Sequence, residues 1–335
     1  AAAAVAAVAA VLAAAAAAAL APAAAAIAAV AADVSEAPPR NFLGLPPEDS
    51  DPRTAGVIVL PVPYEATVSY LGGARNGPQA ILDASRAVEL YDHVEDDEPF
   101  DIGVATHPAL ALTNAGPEAA MAQLRKLYAG AAAPGKFVIM LGGEHSISSP
   151  PILEWADRLA KKKRTLSVLQ LDAHGDLREQ WEGTPWSHAC VMRRVVDRVN
   201  LVQVGIRAIA IEERAVIRRK KVTTVFAEEL EGSEGWMDRV LKALGEDVYI
   251  TIDVDYFDPS LVPATGTPEP GGGTWYPALR MLERVFRERS VVAADVVELA
   301  PIPGLAAPDF LVAKLVYKLI TYHRKYRRRA RGRKK

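Results

Sequence analysis

Six residues in three short clusters carry donor types suited to metal chemistry. His145 lies in Gly-Gly-Glu-His-Ser (142–146), Asp172, His174 and Asp176 lie in Asp-Ala-His-Gly-Asp, and Asp253 and Asp255 lie in Asp-Val-Asp. In extended backbone, residues i, i+2 and i+4 project to one side. The spacing therefore predicts that the side chains of each cluster converge, while Ala173, Gly175 and Val254 point away and carry no polar group. Four carboxylates gathered in one place repel strongly where the dielectric is low. Two divalent cations would set four positive charges against those four negative ones. The donors are oxygens and imidazoles without a thiolate, which favours Mn2+, leaves Fe2+, Co2+, Ni2+ or Zn2+ compatible and suits Mg2+ less. Two such ions about 3.5–4 Å apart can hold a hydroxide at neutral pH and use it for hydrolysis. One Asp-x-Asp by itself is ordinary, since aspartates cap helices and fill turns. Three clusters at the ends of apolar runs are not, because burying unpaired charge is costly.

The elements that must position these groups are legible as well. Apolar, β-branched runs at Val57–Val62, Phe137–Leu141, Leu166–Leu171, Leu201–Ile206, Thr223–Phe226, Val248–Val254 and Val291–Val297 read as strands. Helical patterns fall between them at 77–90, 117–129, 149–160, 234–244, 276–288 and 308–323, with Pro78 in a first turn and Ser233 placed to cap the fourth. The strands are continuous apolar runs rather than alternating ones, as expected for a parallel sheet covered on both faces. Repeated βα alternation predicts one α/β domain of about eight strands. In such sheets ligand sites form at the carboxyl ends of the strands, where all three clusters fall.

With these segments in place the chain resembles the ureohydrolase family of arginases and agmatinases. The matching segments are GGEHS (142–146), DAHGD (172–176), SHACVMRR (187–194), DVDYFDP (253–259), ATGTPEPGG (264–272) and DVVELAP (295–301). FLGLP near residue 42, LPVPYEATVSY near residue 60 and PIPGLAAPDFLVAKLVYKL near residue 301 look agmatinase-like, and the resemblance runs from about Phe42 to His323. It implies a three-layer αβα sandwich with an eight-stranded, mainly parallel sheet. It also implies two Mn2+ per chain and hydrolysis of a guanidinium group to urea and an amine by a metal-bridging hydroxide. Carried over residue by residue, it makes His145, Asp172, His174, Asp176, Asp253 and Asp255 metal ligands. Asp176 then also hydrogen-bonds the hydroxide and donates a proton to the leaving amine, Glu298 anchors the guanidinium, and His188 shuttles protons. Gly175 and Gly273 stand where larger residues are common in the family, which would loosen the loops beside the metals.

The chemistry is coherent without the family. A guanidinium is a stable, always-charged cation and a poor electrophile. It needs a strong nucleophile beside it and a carboxylate to fix its plane, which Glu298 can do through two parallel hydrogen bonds. A histidine near neutral pKa can relay the proton the leaving amine requires. Between Asp176 and His188 the segment carries Glu179 and Glu182 but no Ser/Asn pattern of the kind arginases use to read an α-carboxylate. Agmatine, converted to putrescine and urea, is therefore the expected substrate, with Glu179 and Glu182 binding its distal amine. Arg178 argues the other way, toward an acid such as guanidinobutyrate or arginine. Two other classes compete: a catalytically silent relative that binds metal and regulates, and a single-metal amide hydrolase such as a deacetylase.

The whole chain sets broader bounds. Its 335 residues are half hydrophobic, enough for a sizeable core, and its net charge of −2 does not suggest a nucleic-acid partner. The single cysteine, Cys190, rules out a disulfide framework and fits a reducing, cytoplasmic setting. Residues 1–36 read as an Ala-rich leader of low complexity, and the expected division continues with 37–323 as one catalytic domain and 324–335 as a basic tail. The expected partners are a small guanidinium substrate and further copies of the chain, as the family's trimers or hexamers imply, with no membrane.

Overall fold

The computed structural model describes residues 39–332, and the Ala-rich leader lies outside them. From Arg40 onward the described chain forms one compact unit. Its strands are β1 (Val57–Val62), β2 (Val104–Thr106), β3 (Phe137–Gly142), β4 (Leu166–Leu171), β5 (Asn200–Ile206), β6 (Thr223–Phe226), β7 (Asp247–Asp253) and β8 (Ser290–Val297). The main helices are α1 (Gly77–Ser85), α2 (Pro117–Ala131), α3 (Ser149–Ala160), α4 (Val191–Val195), α5 (Ile211–Lys220), α6 (Gly235–Ala243), α7 (Trp275–Glu288) and α8 (Ala307–Gly332).

The strands form one sheet in the order β2-β1-β3-β8-β7-β4-β5-β6, and every pairing is parallel. β1, β3, β4 and β7 are buried at every residue, which explains their unbroken apolar character. One core packs α1, α6, α7 and α8 on one side of the sheet. Two further clusters contain residues of α2 and of α3, α4 and α5. The result is an αβα sandwich in which the four central strands, β3, β8, β7 and β4, are adjacent. Their carboxyl ends therefore open onto one place.

Three expectations need correction. β2 went unread because three residues carry no period, and this edge strand pairs only with β1. Ser233 does not cap α6: the N-cap is Glu234, without a side-chain hydrogen bond. The last helix does not end at His323 but runs on to Gly332. Tyr326 is buried and its hydroxyl donates to Glu283 at 2.6 Å, while Arg324 pairs with Asp97 and Asp101 and Lys325 with Glu95. The first residues of the expected basic tail are thus part of α8, held by acidic partners.

A buried ion pair locks the same helix. Lys318 is 6% exposed and its ammonium lies 2.5 Å from the carboxylate of Asp92, which is 2% exposed. Removing one charge from a buried pair leaves the other stranded. Asp92→Asn is expected to lower unfolding stability by about 3 kcal/mol in a urea titration. The same exchange at exposed Asp238, paired with Arg284, should be near neutral.

Candidate metal centre

The six expected ligands come together at the ends of β3, β4 and β7. The backbone achieves this by tight turns rather than by extended spacing. β4 ends at Leu171, Asp172 accepts the His174 amide at 2.5 Å, and Asp176 has a φ of 54°. β7 ends at Asp253, which accepts the Asp255 amide at 3.0 Å as a 3-10 turn begins. Asp255 accepts the Ala173 amide at 3.0 Å and so ties the two clusters together. A non-glycine residue in the left-handed region is strained, and such strain is held where surrounding structure over-determines it. Glu298, just past β8, shares it with a φ of 66°.

Two donor groups result. His145 Nδ1 lies 3.1 Å from Asp172, 2.9 Å from Asp176 and 3.4 Å from Asp253. His174 Nδ1 lies 2.8 Å from Asp255 and 3.7 Å from Asp172. Asp172 thus offers one oxygen to each group. His145 Nδ1 is buried and satisfied by no hydrogen bond, although three carboxylate oxygens surround it. An orphaned imidazole nitrogen beside oxygens at angles unsuited to hydrogen bonding fits a central cation. The donor set of oxygens and imidazoles fits a divalent ion of intermediate softness.

Without that charge two of the carboxylates, Asp176 and Asp253, are driven toward their protonated forms. Burial, then Asp172, pushes Asp176 up to about 7, and burial, then Asp255, raises Asp253 well above the usual range. Burial acts to raise Asp172, but the attraction of His145 and His174 outweighs it and holds it low. Their carboxylate neighbours outweigh burial at both histidines and raise them.

Beside the ligands lies a cavity lined by Glu65, Ser69, Glu144, Trp181, His188 and Glu298, among others. Burial, then Glu144, pushes Glu298 up to about 8, and its Oε1 accepts the His145 amide at 2.6 Å. His188 contacts Thr67 Oγ1 at 3.1 Å through Nδ1 and Ser69 Oγ at 2.8 Å through Nε2. Burial lowers its pKa against the pull of Glu144.

Glu179 and Glu182 do not line the cavity. Glu179 is exposed and paired with Arg193 at 2.8 Å and Arg194 at 2.9 Å. Glu182 sits with Gly183 at the tip of a two-residue turn closed by Trp181 and Thr184, both tip residues having positive φ. Sequence reasoning also passed over Glu144, taking only the histidine from Gly-Gly-Glu-His-Ser. Glu144 is buried and accepts the Ala66 and Thr67 amides at 2.5 and 2.7 Å and the Thr67 and Ser146 hydroxyls at 2.8 and 2.5 Å. It fastens the 65–69 loop over the site. An acid beside a predicted ligand in a buried turn was the available signal. The two glycines do not loosen their loops. A Cβ at Gly273 would sit 2.2 Å from the Tyr256 ring, and one at Gly175 would sit 2.9 Å from Ile209. Larger neighbours fill the space.

Comparison with known proteins agrees with this geometry. The arginase family matches residues 55–321. The chain is 39% identical to an N(1)-aminopropylagmatine ureohydrolase of Synechocystis over 80% of its own length and 89% of the relative's. It is 32% identical to an agmatinase of Pyrococcus horikoshii over 81% of its length and 93% of that protein. The structure of an agmatine ureohydrolase of Thermoplasma volcanium superposes with a TM-score of 0.76 at 26% identity, covering 90% of this chain and 99% of that one. The chain belongs to the arginase family, as one of its agmatinase-type ureohydrolases.

The pKa shifts fix a sign for stability against pH. Asp176, Glu298, His145 and His174 all have folded pKa values raised above about 6.5, so each loses stability as pH climbs through them. His188 and His323 are lowered, and their opposite contribution is complete above the unfolded histidine value near 6.5. Metal-stripped protein should therefore melt at lower temperature at about pH 8.5 than at about pH 6.5. Added Mn2+ should raise the melting temperature more at the higher pH, because ligands must be deprotonated to bind. A calorimetric scan checks both signs.

Proposed function

We propose that the chain hydrolyses the guanidinium group of agmatine, giving putrescine and urea, with two Mn2+ as cofactors. The observation that carries this reading is the charge of the cavity. Beyond the acids that would hold the metals, Glu65, Glu144 and Glu298 line it, and Arg178 is the one Lys or Arg among the described lining residues. Arg178 is itself paired with Glu212 at 2.9 Å and lies over the Trp181 ring at 4.4 Å. A cationic substrate suits such a wall, and a substrate carboxylate would meet repulsion there.

His145, Asp172, Asp176 and Asp253 would hold one divalent ion and His174, Asp172 and Asp255 the other. When bound, such ions supply charge stabilisation and a water acidic enough to act as a nucleophile near neutral pH. Glu298 fixes the guanidinium plane through its carboxylate, whose own orientation is set by the His145 amide. A bound cation beside it would draw its raised pKa down and keep it ionised. Asp176 can take the proton that the attacking water gives up and hand it to the leaving nitrogen. His188 can exchange that proton with solvent through Ser69, an exposed residue at hydrogen-bond distance.

A second reading shares this chemistry and differs only at the far end of the substrate. N(1)-aminopropylagmatine is the substrate named for the Synechocystis relative and for a 37% identical relative in Thermus thermophilus. Exposed Val68, Tyr70 and Leu71 at the cavity rim leave room for an extended chain. Urea release from agmatine, N(1)-aminopropylagmatine, arginine and 4-guanidinobutyrate separates the possibilities. Higher kcat/KM on agmatine than on the other three supports the proposal, higher kcat/KM on N(1)-aminopropylagmatine supports the second reading, and preference for an acid overturns both. Equal inactivity on all four with metal bound would favour a silent relative. Glu298→Gln should lower kcat/KM about 100-fold while leaving metal content unchanged.

A further inference from the structure

Beneath the cluster lies a buried polar chain that the mechanism above does not use. Tyr249 and Thr251 on β7 and Asp295 on β8 are all fully buried. Thr251 and Asp295 are cross-strand partners in the parallel register, and Tyr249 lies two residues earlier on the same face. The Tyr249 hydroxyl donates to Asp295 Oδ2 at 2.7 Å, and Thr251 Oγ1 donates to Asp295 Oδ1 at 2.6 Å. His145 Nε2 lies 2.9 Å from the same Thr251 oxygen.

We propose that Tyr249, Thr251 and Asp295 are positioning residues that fix the tautomer of His145 and so tune one of the two ion sites. A threonine hydroxyl has one proton. Thr251 gives it to Asp295, so its oxygen can only accept from His145. In the metal-loaded chain Nε2 therefore carries the imidazole proton and Nδ1 offers its lone pair. Nδ1 is the atom surrounded by Asp172, Asp176 and Asp253. A fully buried carboxylate is expensive without a cation, and no Lys or Arg pairs with Asp295 among the described residues. Burial raises the Asp295 pKa, while His145 and the hydroxyls of Thr251, Tyr249 and Ser148 pull it down, and this donation to its oxygens sets the polarity of the whole chain. Ligating histidines commonly donate their second nitrogen to a carboxylate or carbonyl, and losing that partner weakens metal binding. Here the carboxylate acts through a hydroxyl, and the relay reaches His145 rather than His174. This inference rests on the two-ion reading of the site.

Equilibrium dialysis of Mn2+ against metal-stripped wild type, Thr251→Val and Thr251→Ser tests it. Valine keeps the shape of threonine without the hydroxyl, and serine keeps the hydroxyl. Wild type should bind two ions per chain. Thr251→Val should lose about 10- to 100-fold affinity at one site only, and Thr251→Ser should recover most of it. Wild-type affinity at both sites in Thr251→Val overturns the relay while sparing the two-ion reading. Fewer than two ions on wild type overturns that reading itself. Should Thr251→Val fail to fold, Tyr249→Phe, which removes one of the hydroxyls from Asp295, goes through the same dialysis. Weakened Mn2+ binding at one site only supports the relay, and wild-type affinity at both sites contradicts it.

Discussion

Repulsion among four buried aspartates is the constraint on which the rest of the structure depends. Two like charges 4 Å apart repel by about 4 kcal/mol at an effective dielectric near 20, and a domain's whole stability is about 5–15 kcal/mol. Asp172, Asp176, Asp253 and Asp255 are each no more than 5% exposed, so water cannot relieve them. Protons or cations must. The raised pKa values of Asp176 and Asp253 describe the first solution, and the orphaned nitrogen of His145 points to the second.

The sheet exists, functionally, to hold that cluster still. Placing β3, β8, β7 and β4 side by side brings His145, Glu298, Asp253 and Asp172 to adjacent strand ends. The left-handed conformations of Asp176 and Glu298 are maintained by this rigid frame. Glu144 extends the frame outward by fastening the 65–69 loop, whose Thr67 and Ser69 hydroxyls hold His188. One acid thus connects His188 to the turn that carries His145.

Much of this was legible in residue order. The strands could be read because burial on both faces forces unbroken apolar runs such as VIVLPV and VYITID. The convergence of the six side chains could be read because three clusters of acids and imidazoles at strand ends are costly to bury without a reason. The reason given for their convergence was wrong in detail: Asp172 to Asp176 leave the strand and turn, and i, i+2 proximity comes from side chains capping backbone amides. Roles that depend on the third dimension were not legible. Glu179 had the right charge and a plausible position, but Arg193 and Arg194 lie one helix away and claim it. Asp295 and Thr251 look like ordinary residues inside two strands, and only their pairing across β7 and β8 joins them to His145.

The central claim is that this cluster is built for two cations. Anomalous diffraction at the manganese edge from crystals grown with Mn2+ tests it most directly. The account predicts two peaks per chain, one among His145, Asp172 and Asp176 and one among Asp172, His174 and Asp255. A single peak, or none, at saturating Mn2+ would contradict it.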